Sequence, residues 1–196
     1  MLLAWIGVVA LAVCVVCLVV AHFLPTGFHP LFDPVSFYGT SRYHALYQMQ
    51  AVSSGVSALC LVAALAMQGV MLPKRGVIVL ALYGVSRVLI AGFPADLSRP
   101  STQHGRIHVV LAAVAFTGIA IATGVLTSHL TTQSTWHGDA SLLSVASLIT
   151  DISAVVFFVA TLVPATRRSI GLPERGIYVG ALLWLGSALV PLALMR

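Results

Sequence analysis

The sequence predicts an all-α polytopic integral membrane protein, a bundle of six transmembrane helices. Three observations carry this. Hydrophobic residues make up 59% of the 196 residues and charged residues only 8%, against roughly 25% charged in a soluble domain. The mean hydropathy is +1.03. The apolar residues also form continuous runs of about twenty, the length a helix needs to cross the hydrocarbon layer. A membrane barrel would instead alternate in polarity over segments of about ten residues. The length fits one transmembrane domain over residues 1–196, and no polar stretch is long enough for a separate soluble catalytic domain.

The first span is expected over residues 2–24. It lacks a basic leader and exceeds a signal-peptide core, so it reads as an uncleaved helix. Pro25, Pro30 and Pro34 then keep the first loop from forming a regular helix. The second span is expected over 47–71, ended by the basic turn Pro73-Lys74-Arg75-Gly76. The third covers 77–93 and stops at Pro94. Ser101 is the expected N-cap of the fourth, over 106–130. The fifth covers 141–163, and a basic turn leads to the sixth over 176–194. Gly176-x-x-x-Gly180 opens that last span with spacing suited to close helix contact. Trp5, Trp136 and Trp184 read partly as interfacial anchors.

Net charge is +5, from ten Lys and Arg against five Asp and Glu. The basic residues are scattered over loops without a stripe, which points to lipid headgroups rather than nucleic acid. Cys14, Cys17 and Cys60 lie within apolar runs and read as inert buried thiols. A raw positive-inside count puts the face carrying the first, third and fifth loops in the cytoplasm. Setting aside Arg42, Arg106 and Arg175 as site candidates leaves the two faces equal.

Ionisable residues inside a span are costly and mark sites. Arg87 and Asp151 fall at similar depth in spans three and five, which predicts a buried ion pair. His104 and His108 are four residues apart and share a helix face. His22, His29, His44, His104 and His108, with Asp33, Asp96 and Glu174, gather at one membrane face. A polar pocket is therefore expected there, floored by Arg87 and Asp151. Asp33, His44, Asp96, His104, Arg106 and His108 complete its candidate residues, with a direct Asp96–His108 hydrogen bond. Asp33 or His44 is expected to close over that pair. No metal site is assigned and the cofactor stays open. His104-x-x-x-His108 has ligand spacing but lacks the Glu of the H-E-x-x-H motif. His44 and His108 stand at similar height, as a haem pair would.

One further pattern runs through the chain. Asp33-Pro34-Val35-Ser36-x-Tyr38-Gly39 follows the first span. Arg87, Phe93-Pro94-x-Asp96, Thr102, Gly105-Arg106-x-His108 and Gly171-Leu172-x-Glu174-Arg175 come after it. Together these resemble the bacterial six-span family called domain of unknown function 998, itself similar to multi-span proteins of the DRAM and GPI-anchor-remodelling type. The resemblance implies fold and membrane location, with a bacterial cytoplasmic membrane as the expected site, and no established activity.

The leading functional reading is a lipid- or small-ligand-binding protein, or an accessory subunit packed on another membrane protein. The alternative is an enzyme acting on lipid headgroups. In that reading His108 is acid/base and Asp96 orients it, with Arg87 or Arg106 on a phosphate. The third is haem-mediated electron transfer. Membrane lipids are the expected partners in the first two.

Overall fold

The computed structural model describes residues 1–97, 102–163 and 169–195. Among the described residues the chain is helical and contains no strand. It runs α1 (Leu2–Phe23), α2 (His44–Met67), α3 (Lys74–Ile90), α4 (Gln103–Leu130), α5 (Ala140–Leu162) and α6 (Gly171–Leu194). Two 3-10 turns, Val35–Thr40 and Ser134–Asp139, lie in the loops before α2 and α5.

The boundaries depart from the sequence reading for local reasons. α2 starts three residues early and ends at Met67, because Gly69 turns the chain with φ of 65°. Pro73 precedes α3, which therefore takes Lys74 and Arg75 into its first turn. Thr102, not Ser101, caps α4, its hydroxyl accepting from the Gly105 N–H at 2.9 Å; Ser101 lies outside the described residues. α6 begins at Gly171, five residues before the apolar run, because its polar first turn is held by the first loop.

Five of these helices are long and apolar enough to cross a membrane, which marks the chain as an integral membrane protein. α3 has 17 residues, the lower limit of about 17 for a span. The outer surface agrees. Val9 and Val16 on α1 and Val155 on α5 are each at least 60% exposed, so large apolar groups face outward.

Each helix packs on the next, and α6 closes the ring against α1 while also touching α2 and α4. Apolar burial drives little between helices already in lipid, so close approach and polar bonds must hold the bundle. Small residues supply the first. A Cβ on Gly180 would lie 2.8 Å from the Ala146 carbonyl oxygen, and one on Gly176 only 2.9 Å from Ser153 Cβ. The glycine pair thus fits α6 against α5 within one chain. Tryptophans supply the second. Trp184 donates to Thr127 Oγ1 at 2.8 Å and Trp136 to the Ala188 carbonyl at 3.1 Å. Both rings are buried, which corrects their reading as interfacial anchors; each indole satisfies its N–H inside the bundle instead.

Candidate functional site

Arg87 lies in the last turn of α3 and is 1% exposed. Its Nε donates to Ser54 Oγ at 2.9 Å, Nη1 to Tyr178 Oη at 3.1 Å and Nη2 to Gln50 Oε1 at 2.6 Å. The guanidinium also sits 5.1 Å from the Tyr178 ring centroid. Among the described residues these three bonded partners are neutral, and no carboxylate bonds the buried, permanently positive guanidinium directly. Gln50 is oriented by this bond, and its Nε2 has no hydrogen-bond partner among the described residues.

Arg87 lines a cavity of about 260 Å³ at the end of the bundle that carries the first loop. Tyr47, His108, Glu174 and Tyr178 share its polar side. Ile90, Val109, Ala112, Ala113, Phe116, Phe157 and Phe158 form an apolar wall. Five helices and the first loop contribute, so the cavity exists only in the assembled bundle. Phe116 stands edge-on to Phe157 and Tyr178, with centroids 5.1 and 6.0 Å away, which stiffens that wall. His108 is 5% exposed, and its Nδ1 is 2.7 Å from the Phe93 carbonyl oxygen. A carbonyl only accepts, so Nδ1 carries the proton.

Glu174 and Arg175 tie the first loop down. Glu174 Oε2 accepts from the Val35 N–H at 2.8 Å. Arg175 donates from Nε to His22 Nε2 at 2.8 Å, from Nη2 to Tyr38 Oη at 2.8 Å and from Nη1 to the Asp33 carbonyl at 2.8 Å. Arg87 and Glu174 both line the cavity, while Arg175 is outside its lining and is bonded to His22 and the first loop.

The sequence-predicted residues separate into three groups. Arg87 and His108 do meet at the cavity. Asp96 does not reach it. Its carboxylate accepts from the Thr102 N–H at 3.0 Å and the Thr102 hydroxyl at 2.9 Å. The direct Asp96–His108 bond is thereby replaced: the carboxylate takes the α4 N-terminus, where the helix dipole favours it, and the imidazole takes Phe93. Gly105 is required there, since a Cβ would lie 2.9 Å from Asp96 Oδ1.

The remaining candidates lie elsewhere. Asp33 bonds the His29 N–H at 2.7 Å, and neither it nor His44 closes over His108; His44 is exposed at the start of α2. His104 is exposed and packs edge-on to Phe93 at 5.7 Å. Arg106 is exposed. His44 and His108 are thus not brought together as a haem pair. Among the described residues no three His, Cys, Asp or Glu side chains gather as a metal cluster.

Asp151 also departs from expectation. It is half-buried in an open groove of about 690 Å³ between α4 and α5, not bonded to Arg87. Depth alone suggested the pair, but Arg87 points to α2 and α6 while Asp151 points to the α4 side. Of the polar residues lining the cavity, Glu174, Tyr47 and Tyr178 were not among its candidates from sequence. Glu174 was legible as an acid beside the last span, but its burial depends on α6 starting early.

The fold and this polar cavity define a polytopic helical membrane protein with a buried arginine centre. The family is explicit as well. Residues 8–191 match the family model described as protein of unknown function, DUF998, and the chain belongs to that family. No curated protein and no solved structure matches it.

Proposed function

We propose that the chain is a ligand-binding membrane protein of a bacterial cytoplasmic membrane. All six helices span the bilayer, and the cavity holds the head of an anionic amphiphile. One observation carries this reading. The cavity combines a buried arginine, bonded among the described residues by neutral groups, with an apolar lining from α4 and α5. A phosphate or carboxylate would take the arginine side, where charge-assisted bonds are strongest. Hydrocarbon would take the phenylalanine wall. The headgroup-enzyme reading keeps His108 and Arg87 in one cavity but lacks its orienting acid, because Asp96 caps α4 and the His108 imidazole bonds the Phe93 carbonyl instead.

The test is native mass spectrometry of the full chain purified in mild detergent. The wild type is expected to retain an anionic amphiphile. Ala113→Trp fills the cavity from α4 while leaving Arg87 and its three partners unsubstituted, and is expected to lose it with helicity intact. Equal retention by both proteins, or none by the wild type, refutes the reading.

A further inference from the structure

We infer that the seam between α4 and α5 is a lateral portal, and that its outer groove holds the alkyl chain of a single-chain anionic amphiphile whose head occupies the cavity. This rests on the ligand-binding reading above. Cavity and groove are two parts of one trough. On α4 the cavity is lined by Val109, Ala112, Ala113 and Phe116, and the groove by Thr117, Ala120, Ile121 and Gly124. These positions follow one another at three- and four-residue spacing, a single winding stripe on the helix. On both helices the groove residues are turned outward by about a quarter turn from the cavity residues. The trough therefore winds from inside the bundle onto its lipid-facing surface.

Phe158 of α5 lines both parts and stands at their junction. It is the gate the chain must pass. Of the five sequential helix pairs, α4 and α5 pack least closely, so this seam has the least to lose by opening. At its far end the groove is widened by Gly124, whose added Cβ would meet only Asp151, at 3.6 Å. From Val109 to Gly124 the stripe covers about 22 Å at the helical rise, about 10 Å of it in the groove from Thr117, room for the head and the adjoining part of one alkyl chain along α4.

Hydrocarbon gains no hydrophobic free energy on leaving lipid for a groove that is apolar apart from Thr117 and Asp151. The charged head must therefore supply the affinity, and the groove fixes where the chain lies. Position is accordingly what the experiment reads. The full chain is placed in nanodiscs with a long-chain monoalkyl phosphate, or the matching fatty acid, carrying a diazirine near the head or near the tail. Cross-linked residues are mapped by peptide mass spectrometry.

The head-proximal probe is expected to label the region of Ala112 and Phe157, and the tail probe the region of Ile121 and Val155. Gly124→Leu is expected to cut tail labelling of Val155 severalfold and leave head labelling unchanged. Head labelling at the cavity with tail labels spread over all lipid faces, α1 included, overturns the portal and leaves the ligand-binding reading standing. So does tail labelling of a second copy docked in the groove. Absence of head labelling at the cavity with both probes overturns both.

Discussion

Replacing Arg87 by leucine tests what the buried cation contributes. The substitution removes three bonds, to Ser54, Gln50 and Tyr178, whose residues are 0%, 1% and 4% exposed. Hydrogen bonds between membrane helices average only about 0.6 kcal/mol, since the unfolded chain in lipid finds other partners. Stranding is the larger effect. Ser54 keeps its bond to the Ala51 carbonyl at 2.9 Å. The Gln50 side chain loses its only bonded partner among the described residues, and each buried polar group left alone costs about 1–3 kcal/mol. Arg87→Leu is therefore expected to destabilise by about 2–4 kcal/mol, dominated by the stranded glutamine and tyrosine.

Adding Gln50→Leu removes the stranded amide and is expected to recover about 1 kcal/mol. Asp151→Asn serves as the contrast, because that side chain is half-exposed in a groove and its replacement is expected to stay within about 0.5 kcal/mol. Equilibrium unfolding in mixed micelles, followed by circular dichroism, measures all four proteins. The reasoning is refuted if Arg87→Leu lies within about 0.5 kcal/mol of wild type, or if Gln50→Leu deepens the loss. Destabilisation by Asp151→Asn as large as by Arg87→Leu would restore the ion pair inferred from depth.

Two other substitutions follow from the loop fastenings. Gly105→Ala drives a methyl into the Asp96 carboxylate and is expected to cost about 1–3 kcal/mol; a thermal unfolding midpoint equal to wild type would show that the Asp96–Thr102 cap does not fix this turn. Glu174→Ala orphans the Val35 N–H, and hydrogen exchange is expected to quicken at Val35 while protection in the middle of α4 is unchanged; unaltered exchange at Val35 would show that other contacts hold the first loop.

The sequence determined the class of protein through composition and run length. Six apolar runs in a chain this short leave little but a helical membrane bundle. It also determined which end is polar, since the first loop, the start of α4 and the start of α6 concentrate histidine, acid and arginine. The pattern that resembles the family was visible too, and the structure gives much of it a physical purpose. Asp96, Thr102 and Gly105 form a helix cap, Phe93 and His108 a carbonyl–imidazole bond, and Glu174 and Arg175 a clamp on the first loop.

Tertiary structure decided which polar residues meet. A soluble helix announces its inner face by polarity, but a lipid-facing helix is apolar all round, so its rotation is hidden from the sequence. Depth could be counted for Arg87 and Asp151, and rotation could not. One turned toward Gln50, Ser54 and Tyr178, the other toward the α4 seam. Helix starts were hidden for a related reason. Glu174 and Arg175 are polar enough to read as loop, and became the first turn of α6 because the first loop and α1 supply partners from 137 or more residues away along the chain. Such long-range partners exist only once the bundle has closed.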